Sequence, residues 1–184
     1  MRKLLLTTAA VAAAIGLAGC GSGTLIDGRD GQRYKTVKIG RQIWMAENLN
    51  YQTDSSWCYN DSLTYCKKYG RLYDWNAANK ACPDGYHLPS REEWNHLVLL
   101  SGGWQLAGKM LQDDYIFMAL LGGKREYRNC FSGIDNSGYW WTADEAENHH
   151  YAYFRNMYYN YDGVNANDDN KRNAFSVRCV ADKP

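Results

Sequence analysis

Six cysteines carry much of the chemistry available to this sequence, and the first, Cys20, has the most specific setting. It closes the segment Leu17-Ala18-Gly19-Cys20. Arg2 and Lys3 stand at the start, and an uncharged, mostly apolar run extends from Leu4 to Ala18. A positive head, an apolar run and small residues before the cut describe an export signal, here cleaved ahead of a cysteine that then carries lipid. The run is about 15 residues, short of the ~20 that span a bilayer, so an uncleaved membrane helix is the weaker reading. The expected plan is a signal peptide over residues 1–19, a lipidated Cys20 with a short tether over residues 20–24, and a folded domain over residues 25–183. Several acyl chains hold a protein on a membrane far more firmly than one chain does, so the membrane is the expected partner at this end. Gly21, with no aspartate after Cys20, favours an outer membrane lipoprotein of the cell envelope, periplasmic or surface-exposed.

The other cysteines are Cys58, Cys66, Cys82, Cys130 and Cys179. Counting alone does not choose among their pairings. Spacing helps, because Cys58 and Cys66 bracket the polar segment Y-N-D-S-L-T-Y and would staple it as a loop. Cys82 with Cys179 would then tie the middle of the chain to its last strand and leave Cys130 as a free thiol, either buried or joined to another chain. Closing about 100 residues restricts the unfolded chain by roughly 4–5 kcal/mol, against ~2–3 kcal/mol for the short loop. Zinc is disfavoured, since there is no C-x-x-C and no histidine pair at zinc spacing. His149 and His150 are adjacent, and neighbours on a strand point to opposite faces. A different chemistry is offered by Tyr151, Tyr153, Tyr158, Tyr159 and Tyr161 with Asn160, Asn165 and Asn167. Flat aromatic faces with hydroxyls, beside amides, suit a glycan or a protein surface, because Tyr brings area at low entropy cost. The plain alternative is that half of these tyrosines pack under their own loop.

Removing residues 1–19 takes away Arg2 and Lys3 and no acid, leaving one more acid than base. With no basic stripe, nucleic acid binding has no electrostatic footprint. About 160 residues suit one domain with one core. Tyr34–Ile39 and Gln42–Met45 read as strands around a Gly40-Arg41 turn, Asn48–Ser62 as loop, and Leu72–Ala81 as a helix stopped by Pro83-Asp84-Gly85. Ser90 with Glu93 forms a capping box, so a helix starts there with Trp94, Leu97 and Val98 on its apolar face and Gly102-Gly103 at its end. Residues 139–143, 151–155 and 174–180 are strand candidates. Residues 156–173, rich in Asn, Tyr and Asp, read mainly as surface loop.

Three blocks sharpen this picture: W-M-A-E-N-L-N-Y from Trp44; Y-G-R-L-Y from Tyr69 through C-P-D-G-Y-H-L-P-S to Glu93-Trp94; and F-S-V-R-C-V from Phe175. In order and spacing they closely resemble the Fibrobacter succinogenes major paralogous domain over nearly all of residues 25–183. The resemblance implies an α+β, C-type-lectin-like fold, with two helices, twisted antiparallel sheets, chain ends brought together and a long irregular loop region. It also implies a long bridge from the first helix to the final strand, matching Cys82 with Cys179, and a binding face over residues 144–173. The family has no general assigned activity, so the resemblance bears on fold more than on function.

Calcium-dependent lectins of that fold carry E-P-N or Q-P-D and W-N-D triplets, and neither is present. Formylglycine-generating oxidases share the fold, and H-L-P-S-x-x-E-W resembles one of their blocks, but that block caps and packs a helix. Their copper-binding cysteine pair has no counterpart beside Cys130. With no complete catalytic or metal constellation, no cofactor is expected. His87 is expected as a satisfied core histidine and His96 on an exposed helix face. The expected function is a lipid-anchored extracytoplasmic binding module for a glycan or protein, ahead of a structural envelope lipoprotein and, third, an oxidase.

Overall fold

The computed structural model describes residues 21–113 and 117–183, so Cys20 and the expected signal peptide lie outside the described residues. The chain opens with three antiparallel strands, β1 (Ser22–Ile26), β2 (Arg33–Ile39) and β3 (Gln42–Met45). A small ladder of β4 (Ser56–Trp57) and β5 (Leu72–Tyr73) flanks the helix α1 (Leu63–Tyr69). Then come α2 (Trp75–Ala81), β6 (Tyr86–His87), α3 (Arg91–Leu100) and α4 (Ala107–Gln112). The second half is mostly strand: β7 (Gly122–Glu126), β8 (Cys130–Ile134), β9 (Ser137–Glu145), β10 (Tyr151–Tyr158), β11 (Tyr161–Asn170) and β12 (Val180–Ala181). One sheet has the order β1-β2-β3-β12-β6 and the other β11-β10-β9-β7-β8. The fold is α+β, and the first and last strands share a sheet.

Two aromatic cores lie on the two sides of β9. Side chains alternate along a strand, so Trp140 and Trp141, both fully buried, point into different cores. Trp140 joins Trp44, Trp94 and Phe117, with Trp44 and Trp94 edge-on at 5.1 Å between ring centroids. Trp141 stacks on Phe175 at 4.2 Å, beside Tyr73 and Phe154. Helix α3 follows its sequence signals: the Ser90–Glu93 capping box is closed, and Trp94, Leu97 and Val98 are buried.

Several expectations are corrected. Ser22–Thr24, read as tether, are paired with Val37–Lys35 in β1, so the folded domain begins there rather than at residue 25. Helix α2 starts at Trp75, because Asp74 caps it by accepting from the Ala77 N–H (2.8 Å) while Leu72–Tyr73 pair with β4. Residues 156–173 are largely strand, not loop. From Asn165 to Asn170 the backbone of β11 is laddered to β10 while most of its polar side chains face outward, so composition concealed the pairing. Along Ala174–Val180, expected as one strand, only Val180 belongs to β12. The buried stretch before it makes single bridges to Arg125, Tyr73 and Trp140. Helices number four among the described residues rather than two, and the long bridge starts after α2. Cys130 is a free, exposed thiol on edge strand β8, which removes the buried alternative.

His87 is half-exposed rather than core, and it ties β12 to α3. One ring nitrogen meets Asp182 at 2.8 Å and the other meets Glu93 at 2.9 Å. Burial opposes charge on the ring, but the hydrogen bonds and charges of Asp182 and Glu93 outweigh it and raise the His87 pKa above the usual value. A raised folded-state pKa stabilises fully below the unfolded value of about 6.5 and is lost as pH climbs through the raised value. Amide exchange at Val180 and Ala181, corrected for intrinsic rate, should therefore quicken as pH rises above about 6.5. His87→Gln should remove that step, and an unchanged profile would exclude the clamp.

Candidate binding surface

The site expected on the Tyr- and Asn-rich stretch is carried by the hairpin β10–β11 and its neighbour β9. Asn156 of β10 lies opposite Tyr139 of β9 and Asn165 of β11. Its amide oxygen accepts from Asn167 Nδ2 at 3.1 Å. Tyr158 lies beside Tyr139 and Asn156, and partial burial, then the neighbouring Tyr139, raise its pKa. This row is rooted in a packed base: Tyr139 stacks on Phe175 at 5.2 Å. The strand register shifts between Asn156 and Tyr158, where the hairpin bends into its turn. There Tyr158, Tyr159, Asn160 and Tyr161 are all exposed, Tyr159 by 67%. The turn is held from beneath, since Tyr159 N–H donates to the Asn136 carbonyl (3.0 Å).

Not every expected residue joins this surface. Tyr151 and Tyr153 are half-buried at the other end of β10, where Tyr153 lies under the Arg91 guanidinium at 3.8 Å. Five residues separate Tyr153 from Tyr158, about 17 Å along a strand. So the structure gathers Tyr158, Tyr159, Asn160 and Tyr161 at the turn, keeps Asn165 half-buried behind them, sets Asn167 further back opposite Phe154, and leaves Tyr151 and Tyr153 apart. Beneath the turn the backbone is tightly fitted. A Cβ on Gly108 of α4 would lie 2.2 Å from the Gly163 carbonyl oxygen, so this crossing admits only glycine.

A second concave feature lies elsewhere and went unread in the sequence. Gln32, Arg33, Glu47, Asn48, Asn50 and Lys67 line a cavity of about 150 Å³. Asn50 donates to Gln32 Oε1 at 3.1 Å, while its own Oδ1 is buried with no hydrogen-bond partner. A polar space of this size holds water or a small hydroxylated group. Its residues come from four separated segments, around 32–34, 46–50, 66–70 and 118–120, which no short motif in the sequence joins. Among the described residues, no group of three or more His, Cys, Asp or Glu is gathered where it could hold a metal ion, and no helix is long and apolar enough to cross a membrane.

Comparison with known proteins adds one finding. Residues 37–181 match the family model described as the Fibrobacter succinogenes major domain (Fib_succ_major). No curated protein and no solved structure matches the chain.

Proposed function

The chain belongs to the Fibrobacter succinogenes major domain family, and from that premise we propose that it is a lipid-anchored extracytoplasmic binding module. Cys20 carries the lipid after removal of residues 1–19, and the domain stands at the outer membrane. The finer fold reading, C-type-lectin-like, is supported by terminal strands that share one sheet and by the long Cys82–Cys179 bridge. Two disulfides suit an oxidising compartment.

The observation that carries the binding role is the turn of β10–β11. Tyr158, Tyr159 and Tyr161 are exposed side by side, with Tyr158 paired to Tyr161 across the hairpin and the bonded Asn156–Asn167 pair behind them. Rigid aromatic faces stack on the apolar faces of sugar rings or on a protein surface, and amides satisfy hydroxyls or backbone groups. The hydrogen-bonded base means that little ordering remains to be done on binding.

The test compares the natural chain with Tyr158→Ala/Tyr159→Ala/Tyr161→Ala against envelope polysaccharides and surface protein extracts. We expect binding to weaken at least about tenfold, the equivalent of ~1.4 kcal/mol. The triple variant should keep its thermal midpoint, since these side chains project outward. Retained binding in the folded variant would move the site elsewhere.

A further inference from the structure

A patch of large apolar side chains lies uncovered where α3 ends and turns into α4. Leu99 is 64% exposed, Leu100 46%, Trp104 37% and Leu106 56%. The arc of α3 that faces the core is already filled by Trp94, Leu97 and Val98, so the last two leucines fall outside it. The chain folds back on itself here, with Leu106 Cβ 3.5 Å from where a Cβ on Gly102, two residues past Leu100, would lie. Trp104 closes the patch on the side of β11. Its carbonyl accepts from Val164 N–H (2.9 Å), and its ring covers the buried Arg155 guanidinium at 5.5 Å. Beyond it, Asp162 and Tyr161 begin the polar hairpin turn.

Its position says what covers it. Leu100 packs on the β2–β3 turn, where a Cβ on Gly40 would lie 2.6 Å from Leu100 Cδ1. Two residues earlier, Lys38 N–H donates to the Gly21 carbonyl at 3.1 Å. Gly21 directly follows Cys20, and Ser22 is already paired in β1. No loose tether separates the lipid-bearing position from the folded domain. A residue spans at most ~3.6 Å, so a lipid on Cys20 brings this edge of the domain to the bilayer surface. The charges agree. Residues 33–46 and 94–112 contain no Asp or Glu, and Lys38 and Arg41 are exposed beside the patch. The nearest acids of α3, Glu92 and Glu93, stand about 10 Å up the helix from its leucines.

We propose that Leu99, Leu100, Trp104 and Leu106 form a membrane seat, which rests in the headgroup–acyl boundary of the bilayer that holds Cys20. Lys38 and Arg41 lie over its anionic headgroups. The domain is then held at two points and in one orientation, not swivelling on a lipid stalk. The cavity at Gln32 and Asn50 lies at the opposite end of the β1–β2 ladder, about 17 Å from Gly21, and so opens away from the membrane. This proposal rests on the lipid-anchor reading, and the test separates the two.

The full chain, matured in its own envelope, is reconstituted into phosphatidylethanolamine–phosphatidylglycerol vesicles and followed by amide hydrogen exchange. Its reference is the Cys20→Ala chain in solution. We expect exchange over residues 99–106 to slow at least fivefold in vesicles. Leu99→Asp/Leu100→Asp/Leu106→Asp should lose that protection while remaining in the membrane fraction. Unchanged exchange in a chain that is nonetheless membrane-bound would overturn the seat and leave the anchor standing. A Cys20→Ala chain that fractionates with membranes as the natural chain does would overturn the anchor itself. Protection of residues 99–106 already present in solution, with a doubled mass by light scattering, would overturn the seat in favour of a second copy.

Discussion

Removing the bridge between Cys82 and Cys179, by replacing both with alanine, is expected to lower stability by about 4–5 kcal/mol, the largest effect of any disulfide change here. The bridge closes a loop of 97 residues, and the Cys58–Cys66 bridge one of 8. Loop-closure entropy grows with the logarithm of length, so the short bridge should contribute only ~2–3 kcal/mol. Local structure adds to the difference. Cys82 is the residue that ends α2, and Cys179 is fully buried one residue before β12. Strand β12 is two residues long, paired to β3 only through Val180 and to β6 through Val180 and Ala181. Such a short ladder is weak by itself, so the covalent tie acts together with the buried Arg178 contacts and the His87–Asp182 contact to hold the chain end. Urea unfolding of the two double-alanine variants decides the order. A loss for the Cys58/Cys66 pair equal to or greater than that for the Cys82/Cys179 pair would reject it.

What could be read from residues alone followed from how local each cause was. The Ser90–Glu93 box lies within four residues, and its helix starts where the box says. The cysteine pairing was legible because one pair brackets a short polar segment and the resemblance matched the other. By contrast, β11 is a strand because of its backbone partner in β10, and its side chains D-G-V-N-A-N-D-D-N give no alternating apolar signal. Gly21-Ser22-Gly23 has a linker's composition, yet the β2 edge pairs it all the same. Within the candidate site, composition identified the exposed tyrosines of the hairpin turn. It could not separate them from Tyr151 and Tyr153, because only the register of β10 does that. The amide-lined cavity was illegible for a related reason: its walls meet from residues 32, 50 and 67, and no short spacing encodes that meeting.

The same logic explains why the three sequence blocks are needed together, and it gives the second large effect. Asn48, in the W-M-A-E-N-L block, is buried where they converge. Its Oδ1 accepts from Trp140 Nε1 at 2.9 Å and from Arg178 Nε at 2.8 Å, and its Nδ2 donates to the Tyr69 carbonyl at 2.8 Å. Arg178 is completely buried, with Phe117 4.5 Å from its guanidinium, and it also donates to the carbonyls of Met45, Phe117 and Met118. Burial pushes its pKa down to about 9, which still leaves it charged at neutral pH. A buried guanidinium is tolerable only when its donors are met, so Asn48 and Arg178 depend on one another. Asn48→Ala orphans the Trp140 indole N–H, one Arg178 donor and the Tyr69 carbonyl, and should cost about 3–5 kcal/mol. Arg178→Met should cost a similar amount, because three backbone carbonyls then face an apolar side chain. The double variant should lose less than the sum of the singles by roughly 1–3 kcal/mol, since the pair's shared bond is removed only once. Strictly additive losses in urea unfolding would mean that the two side chains act independently. These residues therefore belong to the scaffold that positions β9 beneath the tyrosine turn, and the changes should leave the ligand preference of the surviving folded fraction unaltered.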